Sequence, residues 1–135
     1  MIGTFGAAAL AATHSGAGAQ TLSCQGARQP KLVAELLFGR DIGTKPGVSE
    51  TAWAHFLAHE VTPRFPDGLT VSDAVGQSRN PATGQIVQEA SKRVEIVLPG
   101  NADDDPSLDA IVKAYRQRFR QHAVGVIVRS ACVSF

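Results

Sequence analysis

Apolar positions in this chain follow two rhythms. Leu32, Ala34, Leu36 and Phe38 alternate with Val33, Glu35, Leu37 and Gly39, so one face is wholly apolar and the other mixed. That pattern predicts a central strand. A loop carrying Arg40, Asp41, Gly43 and Pro46 is expected over 39–47. Ser49 then stands where a helix N-cap belongs, with Glu50 in the first turn, and Trp53, Phe56, Leu57 and Val61 mark one helical face. Pro63 ends that helix, because it lacks an N–H and crowds the preceding turn.

Pro66-Asp67-Gly68 supplies a turn, with a preset φ, a side chain that can bond its own backbone, and a residue free to take positive φ. Leu69, Val71, Asp73 and Val75 alternate with Thr70, Ser72 and Ala74 in a second strand. The stretch 76–84, containing Asn80-Pro81, reads as a hairpin connection to a long strand over 87–98. Asp103-Asp104-Asp105 precede Pro106, which suits a first helical position, with Asp105 expected as the cap. Leu108, Ile111, Val112, Tyr115 and Phe119 form a core-facing stripe, and Val124, Val126 and Val128 open a last strand.

The order β-α-β-β-α-β predicts an α+β, ferredoxin-like domain. Two interleaved right-handed βαβ units make a four-stranded antiparallel sheet with both helices on one face. In that topology the first and last strands lie side by side and run oppositely. Cys24 and Cys132 therefore fall at neighbouring strand ends.

Composition adds a compartment. Residues 2–19 are Ala/Gly-rich and uncharged, and Ala17-Gly18-Ala19 offers the small-x-small boundary of a cleaved secretory signal. We expect a signal peptide over 1–19, an N-terminal extension carrying Cys24 over 20–30, and one domain over 31–135. The mature chain would carry no transmembrane segment. Two cysteines suit one bridge in an oxidising compartment, periplasmic or secreted, and a loop of more than a hundred residues gives such a bridge its largest effect, on the order of 4–5 kcal/mol. With 44% apolar residues and a formal net charge of +1, the chain suits a packed core and does not point to nucleic acid.

Motif chemistry is sparse. His55 and His59 share one side of the first helix but bring too few ligands for a metal site, and the three aspartates lack the spacing of a cation loop. No cofactor fingerprint is present, so neither metal nor cofactor is expected. What remains is the sheet face opposite the helices. Parity places Val33, Glu35, Leu37, Glu89, Ser91, Arg93, Glu95, Val97, Ile127 and Arg129 there. Glu35, Arg93, Glu95 and Arg129 are either ordinary cross-strand pairs or the lining of a partly dry cavity covered by a second copy or a ligand.

The runs Glu35-Leu36-Leu37-Phe38-Gly39, Ser49-Glu50 with Trp53 and Phe56-Leu57, Val61 to Val71 with Asp73 and Gly76-Gln77, and Glu89 with Ser91-Lys92 resemble exported bacterial proteins of domain of unknown function 3574. The resemblance spans about residues 31–119. It implies the same fold and export, and no reaction. Its motif positions include Arg64, Asp73, Gln77, Arg79 and Lys92, polar residues with no evident fold duty, which we expect to surround one end of the sheet and hold a ligand. Arg64 has a competing role as the ion-pair partner of Asp67 or Asp73. The function expected is a non-catalytic binding or interaction module. The alternative is an enzyme with its cavity between the sheet faces of a homodimer, using Glu35 or Glu95 as a base raised in pKa by burial.

Overall fold

A computed structural model of the chain describes residues 21–135. The expected signal segment lies outside the described residues. Strands β1 (Gln29–Gly39), β4 (Thr70–Arg79), β5 (Ile86–Val97) and β6 (Gly125–Val133) form one antiparallel sheet in the order β4-β5-β1-β6. Helices α1 (Glu50–Phe56) and α2 (Asp104–Phe119) fill the two crossovers. This is the ferredoxin-like arrangement that the hydrophobic pattern predicts.

Strand β1 lies between β5 and β6, with Ala34 opposite Ile96 and Val128, and Leu36 opposite Val94 and Val126. Ala34, Leu36, Phe38, Val94 and Ile96 are buried beneath the helices. Aromatic rings complete the core. Tyr115 of α2 packs edge-on to Phe38 at 4.7 Å and to Phe56 at 5.0 Å, and Trp53 lies 5.1 Å from Phe38. The Tyr115 hydroxyl donates to the Gly39 carbonyl at 2.7 Å, so burying it leaves no orphaned polar atom at the end of β1. Burial pushes the Tyr115 phenol up to about 12.

Several local expectations change. The segment expected as a plain loop after β1 holds a small hairpin, β2 (Asp41–Ile42) with β3 (Lys45–Pro46). Ser49 caps α1 as expected, its hydroxyl accepting from the Ala52 N–H at 3.1 Å. The last turns of that helix widen into a π-helical segment, Leu57–Val61, ahead of Pro63. A proline ring clashes with the carbonyl four residues back, and widening relieves that crowding.

Helix α2 begins two residues earlier than Pro106, with Asp103 and not Asp105 at the cap position. Asp104 is buried, and its carboxylate accepts from the Gly100 and Asn101 N–H groups at 2.7 and 3.1 Å. The pattern of three aspartates conceals which one the backbone uses. Strand β4 continues through Arg79, so the hairpin turn is only Asn80 to Gln85. Asn80 organises it, its side-chain oxygen accepting from the Ala82 and Thr83 N–H groups. Gly68 has φ of 138°, the freedom that the Pro66-Asp67-Gly68 turn requires.

Pro30 pairs with Cys132 across the β1–β6 ladder, and Cys132 is disulfide-bonded to Cys24 over a separation of 108 residues. No described helix is long and apolar enough to cross a membrane. Removing the bridge with a Cys24→Ser/Cys132→Ser double change should lower unfolding free energy by on the order of 4 kcal/mol in urea titrations, while the spectrum at zero urea keeps its native shape. Stability unchanged within error would show that the bridge contributes nothing to the fold.

Candidate functional site

The motif residues separate into three places. Asp73 of β4 stands opposite Lys92 of β5, and both point to the helix side of the sheet. Lys92 is only 6% exposed. Its ammonium bonds Asp73 and, at 2.9 Å, Glu50 in the first turn of α1. Glu50 also takes a 2.6 Å bond from Arg40, whose guanidinium donates twice to the Val48 carbonyl at 2.8 and 3.0 Å. The result is a chain of four charges, Arg40–Glu50–Lys92–Asp73, clasping the start of α1 to the sheet. A buried ammonium is tolerable only with such partners. The hydrogen bond from Lys92 holds both the Asp73 and the Glu50 carboxyls below their ordinary values, and Asp73 in turn raises Lys92.

Arg64 lies elsewhere. It pairs neither with Asp67 nor with Asp73; its guanidinium donates to the Glu60 carbonyl at 2.6 Å and to the Glu60 carboxylate at 2.9 Å, an i,i+4 contact. Its neighbours across a cavity of about 460 Å3 are Pro99, Asn101 and Asp103, beyond the end of β5. Gln77 and Arg79 sit at the opposite end of the sheet, on the projecting β4–β5 hairpin, where Gln88 donates to the Gln77 side chain at 2.7 Å. The five motif residues therefore do not surround one site.

The open sheet face does bring its charges together. Arg93 donates to Glu35 at 2.8 Å and to Glu95 at 3.4 Å. Arg129 donates to Glu95 at 2.8 Å and to Glu35 at 3.3 Å. Glu35 and Glu95 face each other directly, and each arginine bridges both carboxylates. The Arg93 hydrogen bond holds the Glu35 carboxyl below its ordinary value, so the expectation of a base raised by burial fails for Glu35.

Beside this ring opens a cleft of about 830 Å3. Val33, Val97 and Val133 line it with Thr70, Glu95 and Arg129, and the Pro66-Asp67-Gly68 turn contributes one wall through Asp67 and Gly68. The Pro66-Asp67-Gly68 turn thus borders the cleft of the open face. At the far end of the same face, the Glu89 carboxylate occupies the space a Cβ on Gly39 would fill. Burial, then the neighbouring Asp41, raises the Glu89 pKa. His55 and His59 stack at 4.0 Å on the exposed side of the first helix. Among the described residues no group of three or more side chains is arranged to hold a metal.

Residues 33–135 match the family described as protein of unknown function DUF3574. The chain belongs to that family. No protein of curated function matches it in sequence. Its fold is similar to that of a phage SAM lyase in complex with S-methyl-5'-thioadenosine, at 20% identity and a TM-score of 0.58, over 87% of this chain and 97% of the lyase. The same lyase in its apo state gives 20% identity and 0.55, over 86% and 98%. At that identity the likeness is one of fold.

Sequence reasoning found Asp73 and Lys92 but missed that Arg40 and Glu50 complete their network. The signal available was Glu50 itself, assigned there only to the helix dipole. The clasp carries a pH signature. Carboxylates held below their ordinary values stabilise the fold above the unfolded pKa of about 4, and that contribution is lost as pH falls through the folded value. Lys92→Met should therefore flatten the acid limb of the melting-temperature profile below about pH 4, while Arg64→Ala lowers stability at neutral pH by only about 0.5–1 kcal/mol. An acid limb identical to that of the parent protein would remove the clasp from the stability of α1.

Proposed function

We propose that this protein is an exported, non-catalytic binding module that takes a small ligand in the open-face cleft. The carrying observation is the cleft of about 830 Å3, apolar at Val33, Val97 and Val133 and polar at Thr70, Glu95 and Arg129. That volume falls in the range of small-molecule sites, about 300–1,000 Å3, and the lining suits a ligand with an apolar body and one polar end. The Glu–Arg ring supports binding over acid–base work. Each of its charges already has an opposite neighbour, and Glu35 is held ionised by Arg93. Export is supported by the Cys24–Cys132 bridge and by the Ala17-Gly18-Ala19 boundary before it. The signal would cover 1–19, leaving the extension over 20–30 and one domain over 31–135.

A second reading, an enzyme whose cavity is closed by another copy over the open face, draws on one observation. Glu89, six residues along β5 from Glu95, is the open-face carboxylate with a raised pKa, and such a group suits general acid–base chemistry better than Glu35 does.

A thermal-shift screen separates these readings. The probes are amphipathic periplasmic metabolites together with SAM and S-methyl-5'-thioadenosine, the latter being the molecule held by the similar lyase. A ligand at a hundred times its Kd adds about 2.7 kcal/mol to folding, enough for a shift of several degrees. Thr70→Trp, an exposed position on the cleft wall, should abolish the shift and leave the unliganded melting temperature within a few degrees of the parent value. A shift that survives Thr70→Trp would move the site away from the cleft. Turnover of a probe that is lost in Glu89→Gln would establish the enzyme instead.

A further inference from the structure

Strand β6 forms one edge of the sheet, and among the described residues no strand lies beyond it. Such an edge carries a row of backbone donors and acceptors without partners, and proteins ordinarily guard it with proline, lysine or a covering element. Among the described residues this one is unguarded. Its sequence, Gly125 to Val133, has a single charged residue, Arg129, and no proline. Val126, Ile127 and Val128 are three consecutive apolar residues, 42%, 46% and 46% exposed.

Their placement is unusual for an edge. Val126 and Val128 pair with Leu36 and Ala34, so they lie on the helix side of the sheet, yet the helices leave them uncovered. Leu32, 47% exposed, adjoins them on β1. Ile127, paired with Glu35, points to the open face. Both surfaces of the edge are therefore apolar at once, and a partner must be a strand that pairs with the backbone while offering aliphatic side chains above and below.

We infer that the partner is a second copy of the same strand, joined edge to edge about a two-fold axis at Ile127. Antiparallel pairing centred there sets Ile127 against its own copy on the open face. On the helix side it sets Val126 against Val128 of the other copy, twice, which closes four valines over two Leu32 side chains. Charge agrees with this register. Arg129 falls opposite Gly125 of the other copy, which has no side chain, and is neutralised within its own sheet by Glu35 and Glu95. A register centred at Arg129 would set two like charges together, which is destabilising. Within the strand the pairing occupies residues 125–129 and stops short of Cys132, where the Cys24 segment is attached. The other edge, β4, carries Asp73 and Arg79, and its length is interrupted by Gly76.

The product is a continuous eight-stranded sheet with both open faces turned the same way. A two-fold contact of this kind uses one patch on each copy and closes at two. Because the clefts stay uncovered, association and ligand binding can be measured independently, and failure of either leaves the other standing.

Sedimentation of the oxidised protein should give twice the monomer mass, and Val128→Lys should give the monomer mass with an unchanged cooperative melt. Cysteine cross-linking reads the register even where a lysine variant folds poorly. Ile127→Cys should oxidise to an interchain dimer by itself, since directly opposed strand residues lie within reach of a disulfide. Val126→Cys should link only when mixed with Val128→Cys. Three results overturn the inference: a monomer at every concentration, cross-linking through Leu37→Cys on the open face with none at Ile127→Cys, or a monomer that takes up a peptide of residues 123–131 as its added strand.

Discussion

The structure depends on strand β1 being hydrogen-bonded along both of its edges, to β5 and to β6. Those two ladders join the middle of the chain and its far end to one segment near the start. Ala34, Leu36 and Phe38 supply the floor on which both helices pack. On the other side, Val33 and Glu35 supply the centre of the open face. The Tyr115 hydroxyl on the Gly39 carbonyl fixes where β1 stops and where α2 sits over it. A shift of β1 by one residue would exchange its two faces and break the core and the open-face charge ring together.

Two consecutive residues show how the sheet divides its work. Lys92 and Arg93 are neighbours in β5, and the pleat sends them to opposite faces. Lys92 is buried and holds the start of α1 through Glu50. Arg93 is partly exposed and bridges two carboxylates on the open face. The same charge therefore does different things on each side. The buried one is costly to leave without partners, whereas exposed pairs contribute little to stability each and mainly set the electrostatic character of the surface.

Much of the fold was legible because period and punctuation agreed. Alternation over β1 and β5, the stripe on α2, and the proline and glycine positions all named the same elements. Parity also placed Glu35, Arg93, Glu95 and Arg129 on one face, where they meet. Position along the sheet was harder to read. Arg64 and Arg79 lie near Asp73 in sequence, but a strand advances about 3.3 Å per residue, so ten residues of β4 separate the two ends of the sheet. The cleft was not legible either. It arises from a turn, four strands and the C-terminal residues meeting in space, and none of these announces a concavity by its own pattern.

The bridge between Cys24 and Cys132 makes nearly the whole domain a covalent ring. Both polypeptide ends leave from one small region beside the β1–β6 ladder. A machine that unravels proteins by threading would, on reaching the staple, have to draw in two strands of chain abreast. A protease that nicks the hairpin at Asn80 to Gln85 would open the ring without releasing a fragment. That arrangement turns backbone damage from a loss of pieces into a change of connectivity.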